Sequence, residues 1–163
     1  LCSVAAGQAL AMGYEPFVLT ASLSCEARDA GTFLANIAQF HANDGKDLAF
    51  IAGGETVVHL TGKGKGGRNQ ELALSAAAGI DGMDTVCVFS LGSDGTDGTT
   101  DAAGGWVDGT TAARLREQGV KIFDVLKNND AYHALKKVDG LIITGPTGTN
   151  VNDVSVLLVR GKK

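Results

Sequence analysis

Short apolar runs of strand length recur along this chain, each opening into a polar, glycine-rich loop and then a helical pattern, and this alternation dictates the architecture. Residues 85–91 (T-V-C-V-F-S-L) form a continuous apolar run of the kind covered on both faces. Residues 47–52 (D-L-A-F-I-A) read as another strand, 16–20 as a short buried strand, and 141–144 and 154–159 as the last two. Between them lie helical patterns. Residues 1–12 are stopped by Gly13, and a helix capped by Ser22 or Ser24 runs to about residue 42, with Ala30, Phe33, Leu34, Ile37, Ala38 and His41 on one face. Further helices are predicted over about 69–78, with Asn69 as a candidate cap, over 111–118 closing on Gly119, and over 130–137. Gly53-Gly54-Glu55 reads as a turn, and the alternating 56–61 (T-V-V-H-L-T) as a strand paired back on 47–52. The predicted class is α/β: a layered α/β/α domain with a mostly parallel, partly mixed sheet containing one antiparallel hairpin.

At 163 residues the chain suits one structural unit. A net charge of -4 with no basic stripe argues against a nucleic-acid surface. No apolar run approaches the roughly 20 residues of a membrane span, and no signal-peptide pattern is present, so no membrane partner is expected and the cytoplasm is the expected compartment. Cys2, Cys25 and Cys87 are odd in number and widely spaced, which favours reduced thiols. His41, His59 and His133 lack ligand spacing. The first residue, Leu1, opens straight into a helical pattern, as though the chain were cut from a longer polypeptide.

In open α/β sheets ligands gather beyond the carboxyl ends of strands. Four polar segments follow predicted strands. The first is the turn with Gly54 and Glu55. The second, 62–71 (G-K-G-K-G-G-R-N-Q-E), joins approachable backbone amides to Lys63, Lys65 and Arg68 ahead of a helix, a combination suited to phosphate or carboxylate oxygens. It lacks the G-K-[ST] ending of a Walker A loop. Gly62, Gly64 and Gly67 match G-x-G-x-x-G, the nominal dinucleotide fingerprint, but lysines fill the variable positions and the preceding strand looks like half of a hairpin. The third, 92–101, carries Asp94, Asp97 and Asp101, hard oxygen ligands for Mg²⁺ or a base for an attacking hydroxyl; Asp-Gly turn chemistry explains the same residues without function. The fourth, 144–153 (T-G-P-T-G-T-N-V-N-D), supplies Thr147, Thr149, Asn150 and Asn152 for polar contacts. Asn128-Asn129-Asp130 offers similar groups, which also make ordinary helix caps.

Taken in order, G-G-E-T-V-V, G-K-G-K-G-G-R-N-Q-E-L-A-L, S-D-G-T-D-G-T-T-D-A-A-G, N-N-D-A-Y and T-G-P-T-G-T-N-V-N-D resemble the C-terminal half of the MOFRL glycerate kinases. The resemblance covers essentially the whole chain: 1–46 is similar to the end of the family's N-terminal region (helix, strand, helix), and 47–163 to the MOFRL domain, the two forming one structural unit. It departs at Ala131, where serine is usual, and at Gly105-Trp106, where smaller residues are usual. The resemblance implies a transferase that moves the γ-phosphoryl group of ATP to D-glycerate, giving 2-phosphoglycerate, with Mg²⁺ and with the site in an interdomain cleft. Some family members are labelled hydroxypyruvate reductases. Arg68 is then the arginine expected in the cleft, and the lysine opposite it belongs to an N-terminal half absent from this sequence.

The resulting expectation places Arg68 and Asp97 in catalysis, Asp94 and Asp97 at the metal, and Gly54, Glu55, Lys63, Gly64, Lys65, Gly67, Asn69, Thr147, Thr149, Asn150 and Asn152 on substrate or phosphate. The expected partners are D-glycerate, ATP and the N-terminal half of the same polypeptide, and a homodimer is left open. The isolated chain is expected to be inactive. Two alternatives remain: an NAD(P)H-dependent hydroxypyruvate reductase, and a binding module without catalysis.

Overall fold

The computed structural model describes residues 1–161, so residues 162 and 163, the end of the expected MOFRL span, lie outside the described residues. The elements run α1 (Cys2–Ala11), β1 (Glu15–Leu23), α2 (Ala27–His41), β2 (Leu48–Gly54), α3 (Arg68–Gly79), β3 (Val86–Gly92), β4 (Gly104–Asp108), α4 (Thr111–Glu117), α5 (Ile122–Lys127), α6 (Ala131–Lys137), β5 (Leu141–Ile142) and β6 (Asp153–Val159). The α/β class and the mixed sheet are as expected.

The six strands form one sheet in the order β1-β2-β6-β3-β4-β5. β1 pairs with β2 in parallel, while the β2–β6, β6–β3, β3–β4 and β4–β5 pairs are antiparallel. The expected predominance of parallel pairs gives way for a specific reason. The β2-α3-β3 crossover does make β2 and β3 run in the same direction, as the alternation predicts, but the slot between them is filled by β6 running the opposite way. The expected hairpin is also absent. Residues 56–61 join no strand of the sheet: Val57 forms a parallel bridge with Glu26, itself outside the strands, and β2 spends its two edges on β1 and β6. β1 is an edge strand with Phe17, Val18 and Leu19 exposed, instead of the buried strand expected.

Period-two alternation sorts the strand residues between two faces. On one face Leu48, Phe50, Val86, Val88, Val107, Leu157 and Val159 pack under α2 and α3, and α4, α5 and α6 complete that cover. On the other, Ile51, Val154 and Val156 meet α1 through Cys2, Ala5 and Ala6. The helix α3 is buried continuously from Asn69 to Ala77, so it functions as the central post of the helical layer. Its approach to α2 depends on Gly31, where a Cβ would collide with the Leu72 carbonyl. Expected caps shift as well: Ser22 belongs to β1, and α2 begins without a side-chain cap after Glu26.

Two helical glycines separate packing from propensity. Gly7 in α1 has nothing within 4 Å of the point where a Cβ would sit, so Gly7→Ala should raise stability by about 0.5–1 kcal/mol through helix propensity and reduced unfolded-state entropy. Gly31→Ala should lower it by about 2–3 kcal/mol because α2 must move off α3. Urea unfolding of the two variants checks the opposite signs.

Candidate active site

The strands β2 and β3 end, and β6 begins, at the same end of the sheet, which brings together segments distant in sequence. Asp153 heads β6 and lies opposite Gly54 of β2 and Gly92 of β3. Arg68, the first residue of α3, donates from Nε to Asp153 Oδ2 at 2.6 Å and from Nη2 to Oδ1 at 3.1 Å. Its Nη1 lies 3.1 Å from Glu55 Oε1. The Arg68 side chain remains 36% exposed, while that of Asp153 is 8% exposed. The bidentate bond and the charge of Asp153 raise the arginine pKa further, so the guanidinium is always charged. Asp94 lies beside this group, its Oδ1 accepting the Thr96 amide. That bond and the Arg68 charge hold its carboxyl below the usual range.

The other expected residues divide by what already occupies them. Asp97 is buried. Its Oδ1 accepts the Asn69 amide and the Asn69 side-chain N–H, and its Oδ2 accepts the Gln70 amide. It therefore caps α3 from a distant loop, and Gly67 has no Cβ because one would strike the Asp97 carboxyl group. A carboxylate committed to three N–H donors suits that cap better than the expected metal or base role. The expected Asn69 cap is likewise replaced. Asn69 is a helical residue whose Oδ1 accepts from Ser90 Oγ at 2.6 Å.

The glycine-rich loop is used differently from expectation. The Thr61 and Gly62 amides donate to Asn129 Oδ1, Lys63 to Asn128 Oδ1, Gly64 to the Asn128 carbonyl and Lys65 to Asp130 Oδ1. Glycine at 62 and 64 is required because a Cβ at either would collide with Asn128. These amides are bonded within the chain, which removes the structural basis for a dinucleotide loop; the charges of Lys63 and Lys65 remain for a ligand. Lys63 is exposed, and Lys65 Nζ lies 4.4 Å over the Tyr132 ring, whose hydroxyl donates to Asp101. Thr147 donates to the Ser93 carbonyl and its amide to the Asp94 carbonyl, so the exposed loop carrying Thr149, Asn150 and Asn152 rests on the acidic loop. Asn152 holds a left-handed φ of 69° immediately before Asp153.

A metal must be weighed against these partners. Among the described residues no group of three or more His, Cys, Asp or Glu side chains is arranged to hold an ion alone. Mg²⁺ needs only one or two carboxylates when phosphates and water complete its shell. Asp94, with one oxygen not bonded to the chain, fits such a role, and Asp97 does not. Sequence reasoning misses Asp153, because a polar residue at a strand start reads as a boundary. Its signal is a lone carboxylate closing a ten-residue polar loop.

The MOFRL family model matches residues 48–153. The chain belongs to the MOFRL family. It is 52% identical over 98% of its length to a D-glycerate 2-kinase from Thermotoga maritima, spanning 39% of that protein. It is 42% identical over 95% of its length to an Agrobacterium vitis relative provisionally named a hydroxypyruvate reductase, spanning 42% of it. A crystal structure of glycerate kinase from Thermotoga maritima superimposes with a TM-score of 0.94, covering 97% of this chain and 39% of that one. The chain thus spans about two fifths of the length of these relatives.

Burial pushes the Asp97 carboxyl up to about 6, with the Gln70 and Asn69 donors pulling against it. A folded-state value above the unfolded one, near 3.9, gives a contribution fully present below about pH 4 and lost as pH rises through about 6. Urea unfolding between pH 4 and 7 should therefore show the stability advantage of the wild type over Asp97→Asn shrinking as pH rises. A constant difference would contradict this assignment.

Proposed function

We propose that this chain supplies one wall of a glycerate kinase site that transfers the γ-phosphoryl group of ATP to D-glycerate, giving 2-phosphoglycerate. The observation that carries the reading is Arg68, an arginine held bidentately yet still open to solvent where three strand-end loops converge. Kinship to a protein named D-glycerate 2-kinase supports the substrate. The rest of the site belongs to polypeptide outside this chain.

Phosphoryl transfer is catalysed chiefly by positioning and by stabilising charge, which matches what these residues offer. Arg68 orients the glycerate carboxylate or an oxygen of the transferring phosphoryl group through its outward N–H donors. The ammonium groups of Lys63 and Lys65 add positive potential along the glycine loop. Thr147, Thr149, Asn150 and Asn152 contribute hydroxyl and amide groups to the acceptor. Asp94 would be the residue to hold Mg²⁺, which would supply positive charge against the charge developing on the transferring phosphoryl group. Asp97 serves by keeping α3, and with it Arg68, in place.

The deciding experiment is a coupled ADP-release assay on the full-length polypeptide that carries this chain, with D-glycerate, ATP and Mg²⁺. Turnover is expected there and not from the 163-residue chain alone. Hydroxypyruvate should not accelerate NADH oxidation; if it does while glycerate fails, the kinase reading falls. In the same enzyme Arg68→Lys should lower kcat/KM by about a hundredfold with little change in Tm, because lysine keeps the charge and loses the planar fork.

A further inference from the structure

A guanidinium has two bidentate faces, one formed by Nε with the nearer Nη and one by the two Nη groups at its end. In Arg68 these faces meet partners of very different character. The side face is filled by Asp153, whose carboxylate is almost wholly buried and is fixed between β2 and β3 by the backbone of β6. At the outer end Nη1 alone has a partner, Glu55, whose side chain is 62% exposed and whose Oε1 lies 3.1 Å away as an ion pair without an aligned hydrogen bond, from the segment after β2. A buried, two-bond pair is rigid, whereas an exposed single contact competes with water and salt and exchanges readily.

We propose that Asp153 is the positioning residue that aims Arg68, and that Glu55 occupies the end face of the guanidinium until carboxylate or phosphate oxygens of an anionic substrate replace it. The proposal rests on the kinase reading for its assay and goes beyond that reading in dividing the arginine between a permanent partner and an exchangeable one. Exchange keeps the charge of the contact, since one oxyanion replaces another beside the same guanidinium. Glu55 returns to solvent, where its exposed position costs it little. Asp153 stays, and without it the guanidinium would be free to follow Glu55 out of line, because that carboxylate already lies 3.1 Å from Nη1. Asp153 thus acts through Arg68 and needs no contact with substrate, while Glu55 sets how strongly an anion must bind before the site is filled.

The test uses the full-length polypeptide with Asp153→Asn, Glu55→Gln, Arg68→Lys and the double variant Asp153→Asn/Arg68→Lys. Steady-state kinetics with D-glycerate, ATP and Mg²⁺ are read beside calorimetric titrations of D-glycerate and of inorganic phosphate. Asp153→Asn is expected to lower kcat by about a hundredfold, the cost of misplacing a reacting group by about 1 Å, and to cost little more once Arg68 is lysine. Glu55→Gln is expected to lower KM for glycerate by about two- to fivefold, the release of an exposed ion pair, with kcat within about twofold and phosphate binding tightened in parallel. Independent, additive losses in the double variant would reduce Asp153 to a structural residue and overturn its positioning role. An unchanged or raised KM in Glu55→Gln would overturn the exchange. A wild type that turns over no glycerate would defeat the kinase reading alone, and the titrations would then decide the proposal: Arg68→Lys and Asp153→Asn must weaken anion binding, and Glu55→Gln must strengthen it. The exposed Glu55 variant keeps the exchange testable even where Asp153→Asn fails to fold.

Discussion

The carboxylate of Asp97 on the first turn of α3 organises this end of the molecule. A helix buried from Asn69 to Ala77 cannot leave its first N–H groups to water, and the residue before it, Gly67, has no side chain to serve them. Asp97 satisfies the Asn69 and Gln70 amides from a loop that starts after β3, so one short contact joins the helical layer to the sheet's loop end. The negative charge also sits where the helix dipole favours it. Everything functional nearby inherits this arrangement, because the same loop presents Asp94 and the same helix turn presents Arg68.

The polar run Arg68-Asn69-Gln70-Glu71 shows how a buried helix start can be hydrophilic when most of its polar groups are paired, with Gln70 Oε1 and Glu71 Oε1 left without a hydrogen-bond partner. Asn69 bonds Ser90 of β3, Gln70 bonds Thr100 at 2.9 Å, and Glu71 accepts from Asn129 while Arg28 lies 3.0 Å from its other oxygen. Burial raises the Glu71 carboxyl, and the Asn129 bond and the Arg28 charge oppose that shift. Asn129 completes the set in a left-handed conformation. Its amide donates to Glu71 and to the His59 carbonyl while its oxygen accepts from Thr61 and Gly62. Three of the four side chains are thereby spent inside the protein. Arg68 alone is turned partly outward, which is the physical ground for treating it as the working residue and its neighbours as its mounting.

How much of this is legible in the sequence depends on how local each cause is. The strands β2, β3 and β6 and the helices α1, α2 and α3 follow from patterns within a dozen residues, and Arg68 is visible as a forked cation between a strand and a helix. β4 reads as loop because Gly104-Gly105-Trp106-Val107-Asp108 carries little apolar pattern. Its glycines are there for close packing, since a Cβ on Gly104 would strike the Ser90 carbonyl and one on Gly105 the Leu135 side chain. The stretch 56–61 alternates like a strand, yet its partners include Cys25, Ala27, Lys127 and Asn129, none of them in the sheet. The glycines at 62 and 64 imitate a phosphate loop because close backbone approach has the same composition whether the visitor is a phosphate or another stretch of chain. Asp97 resembles a ligand because a distant helix cap has no signature near the residue that provides it.

The placement of Asp153 shows why the strand order matters to chemistry as much as to packing. In an all-parallel sheet the loops that gather ligands follow the strands, and the first residue of a strand lies at the far end. Here β6 enters between β2 and β3 in reverse, so its first residue arrives beside the last residues of its neighbours, Gly54 and Gly92. That reversal puts a buried carboxylate at the ligand-gathering end, where the helix α3 delivers an arginine to meet it. Both neighbouring positions are glycine, and at Gly92 an added Cβ would come within 3.4 Å of an Asp153 carboxylate oxygen and 3.1 Å of one on Asp94. The antiparallel insertion, the glycine at 92 and the first residue of α3 are therefore parts of one solution. It holds a guanidinium rigid on one face while leaving its other face within reach of solvent.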